Sequence, residues 1–105
     1  MNAYTVKAEL SVPNNYWTPT PEKGQRFVDS IAKLRPLGPV KPEATWRSDT
    51  RALIQLGSVG ETEDEATSGA QKLIKIRAQI DAEIAPPDEL HVWILSAIPI
   101  KAYVI

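Results

Sequence analysis

Cysteine is missing from this chain of 105 residues, histidine, methionine and phenylalanine occur once each, and the formal charges nearly cancel, leaving a net of −1. Without cysteine there is no disulfide framework, no thiolate nucleophile and no cysteine-based metal site, a composition that fits a reducing compartment and leads us to expect a cytoplasmic protein. Twelve basic residues against thirteen acidic ones give no overall field that would draw in a phosphate backbone or an anionic membrane, so neither nucleic acid nor lipid is an expected partner. Long apolar runs are also lacking. The most apolar stretch, Leu90 to Ile105, is interrupted by Ser96, Pro99 and Lys101 and falls short of the roughly 20 apolar residues that cross a bilayer. Met1 to Val12 alternates polar and apolar residues and does not have the layout of a signal peptide.

What is present is ordinary globular material, 43% hydrophobic and 24% charged, in a length that suits one domain over residues 1–105. Tyr4, Val6, Ala8, Leu10 and Val12 alternate with Thr5, Lys7, Glu9 and Ser11, the period of a half-buried strand. Thr20 then reads as the N-cap of a helix opened by Pro21, with Phe27, Val28, Ile31 and Leu34 along its apolar side and Pro36, Gly38 and Pro39 ending it. Val40 to Trp46 and Arg51 to Val59 read as a hairpin around Ser48, Asp49 and Thr50, with Pro42 confining the first strand to a sheet edge. Thr62 and Glu65 form a capping box for a second, longer helix, whose expected core stripe is Leu73, Ile76, Ile80 and Ile84, extended upstream by Ala66 and Ala70. Pro86 and Pro87 close it, and Glu89 to Leu95 reads as a strand apolar on both faces.

The order strand, helix, hairpin, helix, strand predicts an α+β fold of βαββαβ type that resembles the ferredoxin-like arrangement. That resemblance implies a four-stranded antiparallel sheet with both helices on one face. Ile100 to Ile105 either continues the last strand past Pro99 or folds back as a short fifth strand. The architecture serves metabolite sensors, RNA binders, small oxygenases and interaction modules alike, so function has to come from particular residues.

Few residues qualify. Gly57 and Gly60 precede the second helix, but Glu61, Glu63, Asp64 and Glu65 would repel a phosphate there, and no P-loop or dinucleotide spacing is present. The same carboxylates have the wrong spacing for a cation and read as compensation of the helix dipole; no metal site and no cofactor is expected. His91, in an extended strand, would share a face with Glu89 and Trp93. Tyr16 and Trp17 form an aromatic pair in the loop before the first helix, suited either to a ligand contact or to lidding the core, and Trp46 is expected to be buried. The aromatic platforms that stack RNA bases are missing from the central strands, and a hydrolytic triad would rest on His91 alone.

Two readings follow. The first is a non-enzymatic interaction or regulatory module that self-associates as a homodimer through Trp93, Leu95, Ile100, Tyr103 and Ile105, since one face of the last strand must pack on the helices and the other needs cover. The second is a small-molecule-binding or enzymatic domain with a pocket near His91, built with Glu89, Trp93, Tyr16 and Trp17.

Overall fold

In a computed structural model the chain is described at residues 1–13, 15–48 and 50–104, apart from the side chains at 15, 48 and 102–104. Four strands, β1 (Asn2–Ser11), β2 (Glu43–Ser48), β3 (Arg51–Gly60) and β4 (His91–Val104), form one antiparallel sheet in the order β2-β3-β1-β4. Helix α1 (Pro21–Ala32) joins β1 to β2, and α2 (Glu63–Ile76) with a π-helical extension over Arg77–Asp81 joins β3 to β4. Each crossover therefore skips one strand. The edge position of β2 agrees with Pro42, although that strand starts at Glu43 and not at Val40.

Alternation along each strand decides which face is covered. Tyr4, Val6, Ala8, Leu10 of β1, Ala44 of β2, Ala52, Ile54, Leu56 of β3 and Val92 of β4 are buried and share one cluster with Phe27 and Ile31 of α1 and Ala66, Ala70 and Ile74 of α2. Both helices thus pack on the same face of the sheet. Each fully buried large side chain, such as Phe27, Leu10 or Ile74, contributes about 1.5–3 kcal/mol of transfer free energy.

The helix starts follow their caps. The Thr20 hydroxyl accepts from the Lys23 amide at 3.3 Å, and the Thr62 hydroxyl from the Glu65 amide at 3.2 Å. The Glu65 carboxylate accepts in return from the amide of Glu61, at 2.9 Å. The turn into α2 requires glycine at position 60, because a Cβ there would stand 2.7 Å from the Ala66 nitrogen and 2.9 Å from the Thr62 oxygen. Gly24 is required for a different close approach: the Trp46 indole lies over it and donates from Nε1 to the Gly24 carbonyl oxygen at 2.9 Å. Trp46 is half-buried by this contact and by edge-on packing against Phe27.

Two expectations are corrected. Ile76 and Ile80 are not in the core of α2; they are 54% and 67% exposed. The buried row is Ala66, Ala70, Ile74, Ala78 and Ala82, at four-residue spacing, with Ile84 buried beyond it as expected and Leu73 half-buried. The small side chains let α2 approach the sheet closely, and that approach leaves the larger isoleucines on the far side of the helix. Nor does the tail form a fifth strand among the described residues. β4 continues through Pro99, pairing Pro99 with Tyr4 and Val104 with Asn2, so that four residues of β4 pass the single buried Ala3.

A polar latch ties the helices together at the far end. The Ser30 hydroxyl, itself buried, donates to Asp81 Oδ2 at 2.5 Å, and Arg77 Nη1 reaches the same oxygen at 3.2 Å. Lys23 Nζ donates to the carbonyl of Glu83 at 3.0 Å, where the chain leaves the helix with a left-handed φ of 51°. The Ser30 hydrogen bond first, then the Arg77 hydrogen bond and the charges of Arg77 and Lys33, hold the Asp81 carboxyl below its ordinary range against the opposing effect of desolvation. A carboxyl with a lowered folded-state pKa contributes stability that is complete above its unfolded value and disappears as pH falls through the folded one. Denaturation of the wild type and of Asp81→Asn should therefore differ most near neutral pH and converge as pH drops below about 3.8; a difference that persists undiminished to lower pH would contradict the latch.

Candidate functional site

With both helices on one side, the other face of the sheet is open. Its residues are Glu43, Thr45 and Arg47 of β2, Arg51, Leu53, Gln55 and Val59 of β3, Thr5, Lys7 and Glu9 of β1, and Trp93, Leu95, Ser96 and Ile98 of β4. Most of the polar part is what a solvated antiparallel face normally carries. The β4 side departs from that pattern, because Trp93, Leu95 and Ile98 are 58%, 57% and 56% exposed.

A bulge explains how three large apolar residues reach one face at this spacing. Ala8 pairs with Ile94 and Lys7 with Ser96, so Leu95 is the extra residue. Two residues of β4 then stand against one of β1, and the alternation resets. Ala97 faces inward beside Val6 and packs against the core, while Ile98 faces outward opposite Thr5. Unbroken alternation would have sent Ile98 inside and Ala97 outside. Leu95 and Leu53 line a shallow groove of about 280 Å³ with Lys7, Glu43, Thr45, Arg47 and Gln55.

Charges of both signs are mixed across this face. Arg51 Nε lies 3.9 Å from Glu9 Oε1. Glu43, Gln55, Lys7 and Ser96 form one row across the four strands, while Lys7, Arg47 and Glu43 make no ion pair among the described residues. The face is close to neutral and carries unpaired charge of each sign.

The expected site residues separate into groups. His91 and Trp93 come together, their rings nearly parallel at 10° and 6.1 Å apart. Glu89 does not join them on the strand; it belongs to a 3-10 turn over Pro87–Glu89, its amide donating to the Pro86 carbonyl, and β4 begins only at His91. Two prolines in sequence at 86 and 87 favour the turn over an earlier start to the strand. Tyr16 is exposed and meets Trp17 edge-on at 5.1 Å, whereas Trp17 packs against the core. Among the described residues the two aromatic pairs share no ring contact. Ile100 is half-buried, and the Tyr103 side chain and Ile105 lie outside the described residues.

Sequence reasoning did not single out Leu53 and Ile98. Leu53 was readable from the alternation of β3. Ile98 was not, because the bulge that turns it outward has no sequence mark. Among the described residues no group of three His, Asp or Glu side chains is placed to hold a metal ion, and no helix is long and apolar enough to cross a membrane.

Since Trp93, Leu95 and Ile98 fill no part of the monomer's core, replacing them tests what the face is for. In dilute solution Leu95→Ser and Ile98→Thr should each change unfolding free energy by no more than about 0.5 kcal/mol, the range of ordinary surface substitutions. A loss of about 2 kcal/mol or more, the cost of a core truncation, would show that these side chains hold the monomer together. In comparison with known proteins, no family, no curated protein and no solved structure matches the chain.

Proposed function

We propose that the protein is a self-associating interaction domain of ferredoxin-like kind, forming a homodimer by packing two open sheet faces together. The strand order, with each helix crossing over one intervening strand, supports the ferredoxin-like assignment. The observation that carries the functional reading is the apolar strip of Trp93, Leu95 and Ile98, each more than half exposed, on the face of the sheet opposite the two helices. Among the described residues the tail continues β4 alongside β1 while Trp93 stays 58% exposed, which supports cover from outside the chain.

Three features favour a second copy of the same chain as the occupant. The face mixes both signs of charge, so two copies meet without a like-charge barrier and Lys7 and Arg47 find Glu43 across a two-fold axis. It has the right size: four strands about 4.8 Å apart and six to fourteen residues long, at about 3.3 Å per residue, span roughly 600 Å² per copy, and two such faces reach the lower end of a stable interface, about 1,200 Å² in total. Sheets also pack well on sheets, face to face at about 10 Å with their side chains interleaved. A mixed surface of this kind, without a cluster of catalytic groups on it, suits association better than chemistry.

Two variants test the reading by light scattering. Leu95→Glu places a charge in the centre of the apolar strip, and deletion of Leu95 removes the bulge while leaving Ser96 opposite Lys7 and Ile98 facing out. The wild type should be dimeric at tens of micromolar, and both variants should be folded monomers or dimers weakened at least about a hundredfold, the cost of about 2.7 kcal/mol of interface energy. A wild type that stays monomeric at several hundred micromolar would overturn the proposal.

A further inference from the structure

We propose that a second surface, the groove running over the free edge of β4 beside α2, binds a planar organic anion: an aromatic ring carrying a carboxylate or a phosphate. The groove holds about 340 Å³ and is lined by Ser68, Gln71, Lys72 and Lys75 of α2 and by Leu90, His91, Val92 and Trp93. Its volume lies at the small end of small-molecule sites. This inference does not rest on self-association.

The groove is built by the fold. Gln71 Nε2 donates to the Val92 carbonyl oxygen at 3.0 Å, which fixes α2 against the strand edge and occupies an acceptor that an incoming β-strand would need. A peptide adding to the sheet at this point is therefore a poor occupant, and a small molecule a better one. Leu90 and Val92 are buried beneath it and give an apolar floor.

Charge and shape then select the ligand. Ser68, Lys72 and Lys75 recur at four- and three-residue spacing and share one side of α2. Neither lysine has an ion-pair partner among the described residues, and no carboxylate lines the groove. Two unneutralised ammonium groups beside a hydroxyl suit an anion. His91 and Trp93 stack on each other with centroids 6.1 Å apart, and Trp93, which borders the groove and is exposed, offers another ring an aromatic wall for offset stacking. The lysines recognise the charge and the aromatic wall recognises the ring, so an anion without a ring, or a ring without a charge, satisfies only half of the site.

NMR titration of the full chain tests this, following the Trp93 indole and Gln71 side-chain amide signals. The probes are 2-naphthoate, 2-naphthyl phosphate, inorganic phosphate alone and neutral 2-naphthylmethanol. Because Trp93 also belongs to the open sheet face, each titration is run on the wild type and on Leu95→Glu, which separates an occluded groove from one that does not bind. Saturable shifts at both signals with the two naphthyl anions in either chain, at least tenfold tighter than with phosphate alone or with the alcohol, are the expected result. Lys72→Gln with Lys75→Gln should weaken the anions at least tenfold without changing the alcohol. Absence of saturable shifts in both chains, equal binding of the alcohol or of phosphate alone, or indifference to the lysine substitutions would overturn the inference.

Discussion

At Lys7 the ladder between β1 and β4 takes two residues of β4 against one of β1, and which residues of β4 beyond that point face the open side depends on that mismatch. Before it, Val92 and Ile94 turn toward the helices and Trp93 away from them; after it, the alternation has moved by one residue, so that Ala97 enters the core and Ile98 leaves it. The exchange sets the small Ala97 beside Val6. The cost is an isoleucine in water. β1 is hydrogen-bonded on both sides and paired to β3 without interruption from Asn2 to Ser11. That continuous pairing fixes β1 and leaves β4 to absorb the mismatch.

The helical layer works under the opposite constraint, closeness instead of displacement. Gly24 admits the Trp46 indole, Gly60 admits the first turn of α2, and the alanines at 66, 70, 78 and 82 let α2 lie low on the sheet. Once α2 is that close, Gln71 reaches the β4 edge and the lysines on the same side of the helix overhang it. The edge groove is thus a product of the tight packing underneath, just as the outward turn of Ile98 on the open face is a product of the bulge.

The strands, both helices and their caps were legible because each rests on a local signal: the even-numbered apolar residues from Tyr4 to Val12, Thr20 before Pro21, Thr62 three residues ahead of Glu65. The buried row of α2 was not legible, because the largest hydrophobes of the segment do not mark it. Ile76 and Ile80 are the larger hydrophobes, but the space between helix and sheet admits alanine, a constraint set by the distance between elements that no window of sequence contains. Trp93 and Leu95 were recognised as outward-facing from the doubly apolar strand. Glu89 was misplaced by extending that strand back through a turn that Pro86 and Pro87 already signalled. The grouping of Lys72 and Lys75 with His91 depends on how α2 lies against β4, a tertiary fact invisible to periodicity.

The surface proposed to join two copies is the open face, and not the exposed isoleucines of α2. A sample mixing ¹³C-methyl-labelled and unlabelled chains measures this directly, because isotope-filtered NOEs then arise only between subunits. Intersubunit NOEs from the methyl groups of Leu53, Leu95 and Ile98 are the predicted result; intersubunit NOEs confined to the methyls of Ile76 and Ile80, or none at all in a concentrated sample, would contradict it.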